Sequence, residues 1–216
     1  MPSNKSDLKK LFLVFSLLPA IFLVLKPSSS SAGMGTSLMQ TASVVEPGKF
    51  ELKAQGDIIF NNGGGFNISP HIVTGLIDHL VDVDAYFGTG TTDFQIGALG
   101  KYNFMPDIEQ QLALSFLGGF SILKDGNGTT SSTGALFTTG ILVSKETKTT
   151  IGQLTPYAAF ELEFFFINGN STVPMTLIAG SKWFLEDVRP WRFYTEISIS
   201  LNDSLSSLAL GAAYPF

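Results

Sequence analysis

KFELKAQGDIIF, residues 49–60, alternates without a break. Phe50, Leu52, Ala54, Gly56, Ile58 and Phe60 share one parity, and Glu51, Lys53, Gln55 and Asp57 share the other. A period of two marks a β-strand with one apolar and one polar face. NNGGG, residues 61–65, then supplies the residue types that turn a chain. LALGAAYPF, residues 208–216, repeats the alternation to the final position, with Leu208, Leu210, Ala212, Tyr214 and Phe216 on one side.

Working outward from residue 60, the same period recurs. The segments 65–74, 79–88, 92–104, 111–123, 134–145, 154–167, 173–185 and 191–201 read as strands, which with 49–60 and 208–216 gives ten. Gly75–Asp78 reads as a turn, residues 124–133 as the longest polar loop, and residues 168–173 as the next. After residue 48 no window keeps apolar residues at helical spacing for three turns. Facing is ambiguous for 134–145, and segments two and six alternate least, so eight strands is the alternative to ten. Pro156 and Pro174 fall at strand starts, where no ladder bond need be lost. Pro70 falls mid-strand and predicts a bulge.

The N-terminal region has a different pattern. Lys5, Lys9 and Lys10 precede the apolar run LFLVFSLLPAIFLVL, residues 11–25, and SSSSAG follows. A basic region, an apolar stretch shorter than the roughly twenty residues a spanning helix needs, and small residues at Ser30 and Ala32 predict a signal peptide over 1–32. Residues 33–48 read as a periplasmic linker, with a plug or a tail as alternatives. The chain has no Cys, so neither disulfides nor lipid attachment through cysteine is available. Residues 1–32 contain four Lys and one Asp, so the remainder carries 9 basic and 17 acidic residues, a net charge of −8. That balance excludes a nucleic-acid partner, which requires a basic face.

A soluble sandwich would also alternate. Three features favour a membrane barrel instead. Several segments run to ten or more residues, whereas strands in ordinary domains have about five or six. Only 14% of residues are charged, which is thin for a water-exposed face. Aromatic residues gather near segment ends: Phe50, Phe60, Phe66, Phe87, Phe94, Phe104, Trp183, Trp191, Tyr214 and Phe216. A sheet in hydrocarbon must pair every backbone group and therefore close.

The export signal, the period-two strands and the closing Tyr214-Pro215-Phe216 resemble a bacterial outer-membrane β-barrel protein, without identifying a subfamily. Gly75-Leu76-Ile77-Asp78-His79 is similar to a common periplasmic turn of such proteins. The resemblance implies a closed up-and-down antiparallel transmembrane barrel over 49–216 in the bacterial outer membrane. It implies that Tyr214 and Phe216 form the signal read by the barrel-assembly machinery. The further partners it implies are periplasmic chaperones, outer-membrane lipid and lipopolysaccharide, with the barrel a monomer.

Parity assigns Glu51, Lys53, Asp57, His71, Asp82, Asp84, Lys101, Glu161, Glu163, Lys182, Arg192 and Glu196 to the lumen. One reading fills the lumen with internal ion pairs, since buried charges must be paired. The other is a narrow pore whose acidic surplus favours cations. The functional expectation is therefore a structural barrel or a small-solute, weakly cation-preferring pore. A surface ligand-binding or adhesin-type barrel acting through its outer loops is the alternative, and an outer-membrane enzyme the third. No HExxH, nucleophile elbow or dinucleotide loop occurs, and the histidines fall at the wrong end for a rim protease, so no catalytic residue, metal or cofactor is assigned.

Overall fold

The computed structural model describes residues 37–61, 64–91, 93–108, 111–126, 131–167 and 169–216. The proposed signal peptide lies outside the described residues. Ten long strands follow in order: β1 Phe50–Ile59, β2 Gly65–Ile77, β3 Val81–Gly90, β4 Phe94–Met105, β5 Ala113–Gly126, β6 Ser131–Ser144, β7 Gly152–Ile167, β8 Met175–Leu185, β9 Arg192–Asn202 and β10 Ser207–Pro215. Each pairs antiparallel with its neighbours in sequence. The sheet then closes, with Leu52 of β1 opposite Tyr214 of β10. The strand count is therefore ten, not eight, and an even count returns both chain ends of the barrel to one rim. We call that rim, which carries Phe50 and Phe216, the proximal end.

At nine to sixteen residues the strands reach or exceed the roughly nine to eleven that cross a bilayer at a tilt. Two hairpins run further than their sequence suggested. β5 and β6 stay paired out to Gly126 opposite Ser131, so most of the expected 124–133 loop is ladder. β2 continues through Gly75, Leu76 and Ile77, and the turn falls at Asp78–Leu80 instead of Gly75–Asp78. His79 adopts a positive φ of 55° there.

The internal prolines follow one rule. Pro70 was expected to force a bulge, yet register is unchanged across it: Ile68 faces Thr89 and His71 faces Tyr86, with pairing lapsing only at residues 69 and 70. Pro156 lies inside β7 and not at its start. There the β6 ladder stops at Ser144 opposite Tyr157 and resumes, in the same register, at Thr147 opposite Leu154 in a three-residue strand, Thr147–Thr149. Pro174 interrupts the β7–β8 ladder in the same way, between Met175 opposite Leu162 and the three-residue strand Asn170–Thr172. Each proline lacks the one N–H its position would contribute. The sheet omits that bond and keeps its register, because a slip of one residue would turn every side chain to the wrong face. The bulge of β2 lies instead between Gly75 and Ile77.

Residues 33–48 were assigned above to a periplasmic linker. The described part of this segment instead enters the barrel. From Gly48 backwards it passes Gly75, where Pro47 forms a parallel bridge, and continues inward to Ser37. Ser37, Leu38, Met39, Gln40, Thr41 and Ala42 are all buried. Two glycines permit the close approach. A Cβ at Gly75 would lie 2.2 Å from the Val45 carbonyl oxygen, and one at Gly211 would lie 2.5 Å from Met39 Sδ.

Candidate functional site

The barrel wall is apolar outside and polar inside. Leu52, Ile58, Ile68, Ile72, Ile96, Phe116, Ile141, Phe160, Phe164, Leu177 and Leu210 are all exposed on the exterior. A water-soluble barrel would bury such a set, since exposed apolar patches on soluble proteins are small. Aromatic rings mark both ends of this belt. At the proximal end Trp191, Tyr214 and Phe216 form a chain of contacts with centroids 5.2 and 5.0 Å apart. At the distal end Phe87 packs edge-on to Phe94 at 5.2 Å. An apolar band between two aromatic girdles around a polar interior is the pattern of a sheet solvated by lipid. The chain is a transmembrane β-barrel.

All twelve lumen candidates lie on the inward face. Glu51, Lys53, Asp57, His71, Asp82, Asp84, Lys101, Glu161, Glu163 and Glu196 are buried, and Lys182 and Arg192 are partly so. The barrel brings most of them into contact with residues 37–45, which we call the plug. Glu196 on β9 accepts bonds from two successive backbone N–H groups, Leu38 at 2.7 Å and Met39 at 2.6 Å, and from the Tyr157 hydroxyl at 2.7 Å. Asp84 on β3 holds Lys53 Nζ at 2.9 Å, His71 Nδ1 at 2.9 Å and Gln40 Nε2 of the plug at 2.7 Å. Asp82 receives Lys101 Nζ at 3.1 Å and the Val45 N–H at 3.0 Å.

The cations and neutral polar groups take the plug carbonyls. Lys101 Nζ donates to Thr41 O and Ser43 O, both at 2.8 Å. Asn103 Nδ2 and Ser115 Oγ both donate to Ala42 O at 2.6 Å, while the Ala42 N–H donates to Ser144 Oγ at 3.0 Å. Gln55 Nε2 donates to Ser37 O at 3.1 Å. Arg192 pairs with Glu51, whose other oxygen takes the Tyr194 hydroxyl at 3.1 Å. The His71–Asp84 contact is thus one edge of a network that also holds Lys53 and the plug's Gln40. Asp78 and His79, a pair adjacent in sequence, are exposed at the β2–β3 turn.

The lumen candidates named from sequence were all charged and left out the neutral members of this network: Asn103, Tyr157 and Tyr194, which share the polar parity of their strands, and Gln40, Ser115 and Ser144. No local signal marks the plug, whose partners lie between 14 and 170 residues away.

The plug does not fill the lumen completely. A cavity of about 180 Å³ remains at the proximal end, lined on one side by plug residues 39–41 and 43–45. A second, of about 20 Å³, lies deeper among Ser37, Leu38, Gln40, His71, Thr138, Glu161 and Glu163. Glu163 Oε2 and His71 Nε2 have no hydrogen-bond partner there. Among the described residues no three acidic, His or Cys side chains converge on a possible metal position.

No protein-family profile and no curated protein matches the chain. Among solved structures, the β-domain of the Bordetella autotransporter BrkA aligns with a TM-score of 0.47 at 10% identity, over 78% of this chain and 98% of that one. The translocator domain of the autotransporter NalP from Neisseria meningitidis aligns at 0.43 and 14% identity, over 98% of each chain. The N-terminal β-barrel domain of Pseudomonas aeruginosa OprF aligns at 0.29 and 10% identity, over 79% of this chain and 98% of that one. All three scores fall below 0.5, so the fold rests on this chain's own strand register.

Proposed function

We propose that this chain is a bacterial outer-membrane barrel forming a small-solute pore held shut by its own residues 37–45. The observation that carries this reading is the match between lumen and plug: Glu196, Asp84, Asp82, Lys53 and Lys101 each bind plug backbone or the Gln40 side chain. A barrel with only a scaffolding role would need no charged lumen, because buried ion pairs are seldom more stable than apolar packing. With the plug withdrawn, the lumen would present seven acids against four bases and one histidine, a surplus that favours small cations. Tyr214 and Phe216 serve assembly by the barrel machinery in this reading.

The test is single-channel conductance in planar bilayers under a salt gradient. The chain from residue 33 should stay closed or open only in brief bursts. A variant lacking residues 37–45 should give steady openings with a reversal potential on the cation side. A folded deletion variant that stays silent would remove the pore and leave a structural barrel.

A further inference from the structure

The four lumen bases are not spread evenly. Lys53, Lys101, Lys182 and Arg192 all line the proximal cavity, with Lys49 beside them, while the carboxylates of Glu161 and Glu163 line the deeper one. The proximal cavity also receives Glu46, Glu51 and Asp82, so its lining carries five cations against three anions. Its cations are differently committed. Lys49 pairs with Glu46, Lys53 with Asp84 and Lys101 with Asp82, and the last two also hold plug carbonyls. Among the described residues Lys182 has no carboxylate within ion-pair distance, and its ammonium makes one hydrogen bond, to the hydroxyl of Thr41 at 3.4 Å. Arg192 uses one nitrogen on Glu51, out of the five N–H donors a guanidinium carries.

These two side chains are neighbours. Lys182 pairs with Tyr194 and Phe184 with Arg192, so Lys182 and Arg192 are diagonal partners on the inward face of β8 and β9. Diagonal positions are roughly 7–8 Å apart, within mutual reach of long side chains. An ammonium and a guanidinium fork at that spacing match the oxygens of one small oxyanion. The cavity, at about 180 Å³, exceeds several-fold the roughly 30 Å³ that one water takes in the liquid.

We propose that the proximal cavity binds a small oxyanion, a phosphate or a carboxylate of few heavy atoms, between Lys182 Nζ and the free donors of Arg192. Because plug residues 39–41 and 43–45 form one wall, the bound anion favours the plugged state by linkage. This deepens the plugged-pore reading, on which its regulatory half rests; the binding half does not depend on conduction.

The experiment is titration calorimetry on the refolded chain from residue 33 in detergent, with sodium phosphate and then sodium acetate at fixed ionic strength. Folding of every variant is checked by heat-modifiable migration. Saturable one-to-one binding is expected, weakened at least tenfold in Lys182→Gln and unchanged in Lys124→Gln, whose side chain is exposed opposite Phe94 at the distal end. The tighter of the two anions identifies the class. Deleting residues 37–45 should weaken binding by removing a wall. No saturable heat with either anion, or equal affinity in Lys182→Gln and the parent, overturns the site. Equal affinity with and without the plug overturns the linkage. Binding by a chain whose deletion variant never conducts would sink the pore and leave the anion site standing.

Discussion

Replacing Glu196 by Ala should release the plug without unfolding the barrel. The carboxylate is 1% exposed and accepts the Leu38 and Met39 N–H groups at 2.7 and 2.6 Å. A hydrogen bond to a charged group contributes about 1.5–3 kcal/mol. Two bonds to one carboxylate share a partner and do not add fully. The freed N–H groups also regain water once the segment leaves. We therefore take the low end, about 3 kcal/mol for both bonds together. At about 1.4 kcal/mol per decade, the closed-to-open ratio falls roughly a hundredfold. Glu196→Gln keeps one acceptor for a plug N–H and should give about half the free-energy change, or roughly tenfold. The assay is open probability in planar bilayers, with heat-modifiable migration confirming that each variant is folded. An Ala variant as silent as the parent, beside a conducting deletion of 37–45, would refute the assignment of Glu196 as the clamp.

Other perturbations test other parts of the argument. Phe164→Arg places a charge on the lipid face and should cost about 2–4 kcal/mol if the site lies at mid-bilayer; Glu163→Gln, on the lumen face, should not destabilise, and an equal loss in denaturant titrations of vesicle-folded protein would sink the facing. Gly75→Ala puts a methyl where the Val45 carbonyl now sits, 2.2 Å from the added carbon. It should displace the plug at the mouth and raise conductance, and an unchanged closed state would show that the segment takes another path. Phe216→Ser removes a ring 5.0 Å from Tyr214 but leaves the Phe216 N–H to Phe50 O bond at 2.7 Å. Refolding in vitro should therefore survive, while the assembled fraction in cell envelopes falls; equal yields in cells would remove the assembly role.

The barrel was legible in the sequence because its cause is local. Alternate side chains meet lipid and lumen, so parity alone assigns Glu51, Lys53 and Asp57 of β1 to one side and Leu52 and Ile58 to the other. Parity faltered at β6 for a physical reason. Leu136 and Leu142 point inward and are 1% and 0% exposed, while Phe137 and Ile141 point outward, so both faces are apolar. Pro70 was misread because a missing N–H was equated with a register change, and Pro156 because an internal proline was thought to need a strand start. At Pro70, Pro156 and Pro174 the sheet drops one bond and continues. The plug was legible only as an alternative to a linker, since SLMQTASVV has no period of its own and depends on partners from eight strands.

One trace of the plug is nonetheless written in the lumen's charge. Seven carboxylates face four bases and a histidine, and the wall alone cannot satisfy them. The plug supplies what is missing on both sides: the N–H groups of Leu38, Met39 and Val45 and the Gln40 amide for the acids, and the carbonyls of Leu38, Met39, Thr41 and Ser43 for the lysines. Withdrawing the segment leaves each of these charges to water and ions. Mobile ions screen charges exposed to solvent far more than they screen buried pairs. Salt should therefore stabilise the open state more than the closed one, and open probability should rise with ionic strength. The dependence should shrink in Glu196→Ala, where one of those charges is already gone. An open probability that falls with salt would mean that the plug is held by its apolar contacts, Leu38 and Met39 against the wall, and not by the charges that surround its backbone.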